Sequence, residues 1–340
     1  MMVTRVRDVG EFGLIDRLAG RLHRRLPPRA SVAVAIGDDA AVWQPSAGTV
    51  SVLSTDTMID GVHFTRETIP WRLLGWKSVA VNVSDLAAMA AEPRLAVATL
   101  GLTGDEDLGA LDELYDGIAD AAAEWRLSVV GGDTVRAPRL QVGFSVVGEA
   151  PTGPSGPEVL RRDAARAGDV LAVTGHPGDS AGGLALLLTN RDRARSPSLI
   201  RAHQMPRARV TEARWLFEHG VRCATDNSDG LLREVEFLCA ASSVGAVVTT
   251  SDLPLSEELR LEFADRAVDL ALGGGEDYEL VLAVPTSQWP AVLAAWQGVF
   301  STSLAAVGCF TAKPVDGPAV RVVGQAPVRS GFDHFASPSV

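Results

Sequence analysis

The sequence predicts a mixed α/β or α+β protein in two domains. Its 340 residues amount to about 2.3 average domains. Strand-like and helix-like apolar patterns alternate along both halves, with no fixed-period repeat. A stretch dense in Pro, Gly and Ser, from Pro151 to Asp169, reads as the linker and gives domains 1–150 and 151–340.

Each element has a local reason. In Glu11 to Leu26, Phe12, Ile15, Leu18, Leu22 and Leu26 recur at helical spacing until Pro27-Pro28 stops the helix. Ser31 to Ile36 and Val50 to Ser54 read as strands that run into acidic turns. Pro70 opens a long helix to about Ala91, Leu95 to Leu102 is strand-like, and Asp107 to Trp125 is an amphipathic helix. Ser128 to Val130 is a short strand ending at Gly131-Gly132-Asp133, and Leu140 to Gly148 is another. In the second half, strands are expected at Val170 to Thr174, Val221 to Ala224, Ala246 to Thr250, Glu279 to Val284, Leu304 to Cys309 and Val320 to Val323. Helices are expected at Ser180 to Thr189, Ala208 to His219 and Gly230 to Ala241.

Composition excludes several classes. Asp and Glu outnumber Lys and Arg 42 to 31, a net charge of −11, and Lys77 and Lys313 are the lysines. No basic stripe for nucleic acid follows, nor attraction to an anionic membrane. If the substrates are phosphorylated, bound metal is the obvious way to offset their charge. No run approaches the roughly 18 apolar residues of a membrane span, and the N-terminus does not read as a signal peptide. Cys223, Cys239 and Cys309 are far apart and form no CxxC pair. They are expected to be buried small hydrophobes in a cytoplasmic protein.

Five segments share one design, a Gly, Ser or Thr followed by Asp near an element's end. They are Gly37-Asp38-Asp39, Ser54-Thr55-Asp56, Ser84-Asp85, Gly131-Gly132-Asp133 and Thr225-Asp226-Asn227-Ser228-Asp229-Gly230. Hard cations such as magnesium take carboxylate oxygens and share substrate phosphates. Each Asp alone could equally be a helix cap or an Asx turn, and Asp85 and Asp229 are good helix-start candidates. The Gly-rich stretch from Thr174 to Gly183 could offer backbone N–H groups to an anion at a helix start, or simply pack tightly. It is not a P-loop, and no Rossmann fingerprint is present. Gly273-Gly274-Gly275 before Glu276 could let backbone approach a ligand, or form a plain turn. His63 could touch substrate or be packed; His23, His203 and His219 look incidental.

Together IGDDAAV (36–42), LSTDTMIDGVHF (53–64), KSVAVNVSDLAAMAAEP (77–93), VGGDTVR (130–136), LRRDAARAGDVLAVTGHPGDSAGGL (160–184), TDNSDGLLREV (225–235), GGGEDYEL (273–280) and GFDHF (331–335) resemble the thiamine-monophosphate kinase family. That family lies in the superfamily of aminoimidazole ribonucleotide synthetase. The resemblance implies a two-domain fold of that superfamily, with an N-terminal domain that binds ATP and metal and forms a β-barrel with a second copy, and a C-terminal α/β domain. It implies ATP-dependent phosphorylation of thiamine monophosphate to thiamine diphosphate, by direct in-line transfer with several magnesium ions, as the final step of thiamine diphosphate synthesis. The acceptor phosphate already carries a nucleophilic oxygen at neutral pH, its second pKa being about 6, so no catalytic general base is implied. Carried over by motif, Asp38, Ser54, Thr55, Asp56, Asp85, Asp133, Asp226 and Asp229 are expected as metal ligands. Tyr115, Gly132, Asp133, Arg162 and Ser228 are expected as ATP contacts, and His63, Glu276 and Phe332 as substrate contacts. A homodimer is implied as well. Two positions depart from the family pattern: Asn227 replaces an apolar residue, and Ala90 replaces a glycine. A selenophosphate synthetase would need a reactive N-terminal cysteine, whereas the earliest here is Cys223. A non-catalytic maturation partner would carry a C-terminal functional cysteine, whereas this chain ends Ser337-Pro338-Ser339-Val340.

Overall fold

A computed structural model of the chain describes residues 4–26, 29–189, 195–325 and Gly331. The chain divides into two compact units. One gathers the residues up to Leu86 with Ala91–Glu158; the other gathers Ala87–Ala90 with Val159 onward.

The N-terminal unit begins with α1 (Val6–Arg25). Gly10, at φ 70°, breaks the helical backbone within it, so a short turn from Val6 precedes the helix that continues from the expected Glu11. A small hairpin, β1 (Val32–Val34) with β2 (Val42–Trp43), carries the Gly37-Asp38-Asp39 turn. The main sheet runs β3–β6–β4–β5, with β3 at Thr49–Ile59, β4 at Glu92–Leu102, β5 at Ser128–Arg136 and β6 at Gln141–Gly153. A short β7 (Gly156–Pro157) pairs with β6. The sheet is open, and no closed sheet is found among the described residues. Asp56, Phe144, Ala98 and Gly132 stand opposite one another across its four strands. Phe144 is buried at 1% exposure, whereas Leu53, on the alternate face of β3, is 72% exposed. One face is therefore covered and the other left open.

Helix α2 (Trp71–Ala88) is buried nearly all round, and two of its polar residues bond within the helix. Ser78 Oγ donates to the Gly75 carbonyl at 2.9 Å and Asn82 Nδ2 to the Ser78 carbonyl at 2.9 Å. Helix α3 (Leu108–Glu124) is capped by Asp107, which accepts from the Gly109 N–H at 3.0 Å. A Cβ at Gly117 would lie 1.8 Å from the Arg72 carbonyl oxygen, so α2 and α3 touch backbone to backbone there. Helix α1 buries Leu14, Leu18 and Leu22 and lays Arg17, Arg21 and Arg25 against Asp112, Asp116 and Asp120 of α3.

The C-terminal unit is built on a six-stranded mixed sheet. Its strands are β8 (Val170–Thr174), β9 (Cys223–Asp226), β10 (Val244–Thr249), β11 (Leu280–Val284), β12 (Leu304–Ala312) and β13 (Val320–Val323), in the order β13–β10–β12–β8–β11–β9. Alternate residues of β8 and β11 enter two different cores. Leu171, Val173, Val281 and Ala283 pack with Leu231, Val235 and Leu238 of α7 (Leu231–Ser242). Ala172, Leu280, Leu282 and Val284 pack with Leu216 of α6 (Val210–Glu218) and with Val292 and Trp296 of α10 (Trp289–Gln297). Helices on both faces explain why these strands read as unbroken apolar runs. Helices α4 (Asp179–Leu187), α5 (Pro197–Gln204), α8 (Glu257–Phe263) and α9 (Arg266–Gly273) complete the unit.

Several expectations are corrected. The Ser54-Thr55-Asp56 and Gly131-Gly132-Asp133 segments lie inside β3 and β5, because full-length neighbours keep pairing past the acidic residues. Asp85 sits in the last turn of α2, not at a helix start. The expected linker is structured: β6 continues to Gly153 and turns back into β7, and a 3-10 turn follows at Arg162–Ala164. Its Pro and Gly density marks a hairpin. Cys223 and Cys239 are buried, their thiols pushed up by burial to about 12 and about 11, but Cys309 is exposed. Ala90, where the resemblance leads to an expected glycine, holds a left-handed φ of 55° while buried, a conformation that costs a non-glycine residue about 1 kcal/mol.

Candidate active site

In the N-terminal unit, β3 and α2 bring two candidate ligands together: Ser54 Oγ donates a short hydrogen bond to Asp85 Oδ2. Thr55 Oγ1 donates to the Phe144 carbonyl at 2.9 Å and accepts from Ser145 Oγ at 3.1 Å. Asp56 is exposed, with Oδ1 accepting from the Thr57 N–H at 3.1 Å. Asp38 is exposed in its turn, where Oδ1 accepts from the Asp39 N–H at 2.9 Å. Gly132 and Asp133 stand on β5, three strand spacings from β3, roughly 14 Å at the usual spacing. The sheet therefore keeps Asp133 apart from Asp56. A Cβ at Gly132 would lie 2.3 Å from the Ala98 carbonyl oxygen, so only glycine fits.

His63 Nδ1 accepts from the Ile59 N–H at 3.0 Å. A neutral ring then carries its proton on Nε2, as a donor. Tyr115 is buried in α3, and burial pushes its phenol up to about 12.

In the C-terminal unit two loops lie side by side. The Asn227 N–H donates to the Glu279 carbonyl at 2.7 Å, the Glu276 N–H to the Ser228 carbonyl at 2.7 Å, and the Tyr278 N–H to the Asn227 carbonyl at 2.9 Å. A Cβ at Gly275 would lie 2.3 Å from the Ser228 carbonyl oxygen, which accounts for the glycine run by close approach. Glu276 and Tyr278 hold left-handed φ values of 63° and 54°. Asp226 closes β9 in a buried position, and Ser228 and Asp229 follow before α7. Arg162 Nε donates to Thr225 Oγ1 at 3.0 Å.

The Gly-rich turn before α4 does hold an acidic group, and it is the protein's own carboxyl. Asp277 accepts from the Gly178 and Ser180 N–H groups at 2.8 and 3.1 Å and from Asn227 Nδ2 at 3.0 Å. Burial pushes its carboxyl well above the usual range despite those N–H bonds. The departure at Asn227 thus has a partner. Gly182 and Gly183 serve packing: a Cβ on Gly183 would lie 2.0 Å from the Leu199 carbonyl oxygen.

Sequence reading passed over three participants. His203, at 1% exposure, places Nδ1 3.2 Å from Ser180 Oγ and 3.5 Å from Glu276 Oε2. Arg209 binds Glu279 through Nε at 2.7 Å, with a shorter contact from Nη2, and lines a polar cavity of about 330 Å³ with His176 and Asp179. Burial raises the Asp179 carboxyl to about 6. Glu234 is buried beneath the Ser228 loop; burial raises its carboxyl, opposed by the Asp229 N–H and by Arg162. A carboxylate on the apolar stripe of Leu231, Val235 and Leu238 was the available signal.

Phe332 lies outside the described residues. Among the described residues, no group of three or more His, Cys, Asp or Glu is gathered to hold a metal ion. The donors present are nonetheless hard oxygens, the set that suits magnesium, which is bound through one or two carboxylates with water and substrate phosphates rather than in an all-protein cage.

Two family descriptions match in tandem: AIR synthase related protein, N-terminal domain, over residues 37–150, and AIR synthase related protein, C-terminal domain, over residues 166–318. Fold and sequence thus define a two-domain protein of the AIR-synthase-related class. The thiamine-monophosphate kinase of Escherichia coli (strain K12) is 36% identical over 337 residues, 97% of this chain and 99% of that one. The crystal structure of thiamine-monophosphate kinase from Stenotrophomonas maltophilia K279a superposes with a TM-score of 0.80 at 36% identity, covering 94% of this chain and 98% of that one. The structure of AaThiL complexed with AMPPCP and TMP gives a TM-score of 0.74 at 29% identity, covering 98% of this chain and 100% of that one. The chain belongs to the thiamine-monophosphate kinase family.

Proposed function

We propose that the chain transfers the γ-phosphoryl group of ATP directly and in line to thiamine monophosphate, giving ADP and thiamine diphosphate, the last step in making that cofactor. The observation that carries this reading is the end-to-end match to a relative complexed with AMPPCP and TMP. In the N-terminal unit, Asp38, Ser54, Thr55, Asp56, Asp85 and Asp133 would hold magnesium, and Gly132, Asp133 and Tyr115 would meet ATP. In the C-terminal unit, Asp226 and Asp229 would hold magnesium, and Arg162 and Ser228 would meet ATP. Separate carboxylate groups on β3 and β5 suit several ions better than one. Magnesium, when bound, would neutralise the two approaching phosphates and stabilise the charge that builds between them. His63, Glu276 and Phe332 would position thiamine monophosphate, His63 through its Nε2–H.

The same reading assigns dimerisation to the N-terminal domain, 1–150, with its open sheet face closing a barrel against a second copy. The apolar Leu53 and Val97 on that face support it. Three free thiols support a cytoplasmic setting. Purified protein with ATP, magnesium and thiamine monophosphate is expected to form thiamine diphosphate and ADP in equal amounts. Free thiamine, whose hydroxyl would need a base, is expected to remain unphosphorylated. No thiamine diphosphate at saturating substrates would refute the proposal.

A further inference from the structure

Glu234 lies in the first turn of α7 at 1% exposure. Its Oε1 accepts from Ser228 Oγ and from the Asp229 N–H, each at 3.3 Å, and its Oε2 accepts from Thr225 Oγ1 at 3.1 Å. Thr225 Oγ1 in turn accepts from Arg162 Nε at 3.0 Å. A hydroxyl has one proton and two lone pairs. With its proton committed to Glu234, Ser228 keeps only lone pairs for a ligand and cannot donate to a phosphate oxygen. Arg162, held at Nε, keeps both Nη groups, which make no hydrogen bond among the described residues; they match an anion.

We propose that Glu234 is a positioning residue for the nucleotide: it fixes the proton direction at Ser228 and, through Thr225, the orientation of Arg162. The site then meets phosphate at Arg162 and an electropositive group at Ser228, either the nucleotide's magnesium or a nucleotide N–H or O–H. This rests on the assignment of Arg162 and Ser228 to ATP.

The test is calorimetric binding of AMPPCP to the full chain, with magnesium and with EDTA. Glu234→Gln keeps the side chain's size but offers one acceptor where there were two. It is expected to weaken AMPPCP binding about tenfold, the scale of a charge-assisted hydrogen bond, while melting stays cooperative. Ser228→Ala is expected to lose a similar factor, and the double variant no more than the worse single, because both act through one contact. A Ser228→Ala loss that vanishes in EDTA identifies magnesium as the partner; one that persists identifies the nucleotide. If Glu234→Gln fails to fold, Thr225→Val, which cuts the link but leaves Glu234 Oε1 its two hydrogen bonds, is expected to weaken binding several-fold. Wild-type affinity in folded Glu234→Gln or Thr225→Val, or losses that add in full, would overturn the proposal. AMPPCP binding without thiamine diphosphate formation would instead count against the kinase reading alone, while a wild-type chain that binds no AMPPCP overturns both.

Discussion

Asp56 and Asp133 carry exposed carboxylates on two strands of one sheet. Asp56→Asn and Asp133→Asn should each lower turnover on the order of 100-fold or more, the scale of losing a metal-ion contact, with melting temperatures close to wild type. Steady-state assays beside thermal melts check this, and wild-type-like turnover in either variant would remove it from the site. These two residues were singled out because an acid set among small and hydroxylated neighbours is chemically conspicuous. Glu234 and His203 were not, because a buried polar residue in an apolar stripe declares itself only once its partners, six and 73 positions away, are seen beside it. The helix start before α4 was legible as a seat for an acceptor, yet the carboxyl that fills it, Asp277, lies 97 residues from Ser180.

At the scale of elements, α1 adheres to α3 through an apolar stripe and a charged ladder. Asp116 is the ladder's centre, bound by Arg21 at 2.7 and 2.5 Å and by Arg25 at 2.8 Å. The Arg21 hydrogen bonds, with further help from Arg25, outweigh desolvation and hold its carboxyl down at about 2. A depressed carboxylate contributes stability that is complete above its unfolded value near 4 and is lost as pH falls through about 2. Asp116→Asn should therefore destabilise the protein by about 1 kcal/mol at neutral pH, and the difference should close between pH 4 and 2. Paired denaturation curves across that range check it, and a gap that widens on acidification would refute it. The apolar stripe of α1 was plain in the sequence, but the arginine ladder was not, since its partners lie 95 residues on. Strand interiors were found and strand ends missed for a related reason. An exposed Asp reads as a turn, whereas pairing with the 13-residue β6 carries β3 straight through it.

Over the whole molecule, two mixed units were readable from length and alternating patterns. The open face of the N-terminal sheet was not readable, because Leu53 and Val97 look like core residues until the helices are seen to cover the other side. If that face meets a second copy, Leu53→Glu should shift sedimentation from dimer to monomer at micromolar concentration while the chain still melts cooperatively. A dimer that survives the charge would place the interface elsewhere. The negative net charge contributes little to this picture, because Asp112, Asp116 and Asp120 are spent on arginines.

The aspartate seated at the start of α4 also decides what that turn will refuse. A carboxyl group tethered to the same chain acts at an effective concentration in the millimolar range or above. Free phosphate or a nucleotide at micromolar levels competes against it at a standing disadvantage. The chain thus withdraws its most obvious phosphate cradle from competition.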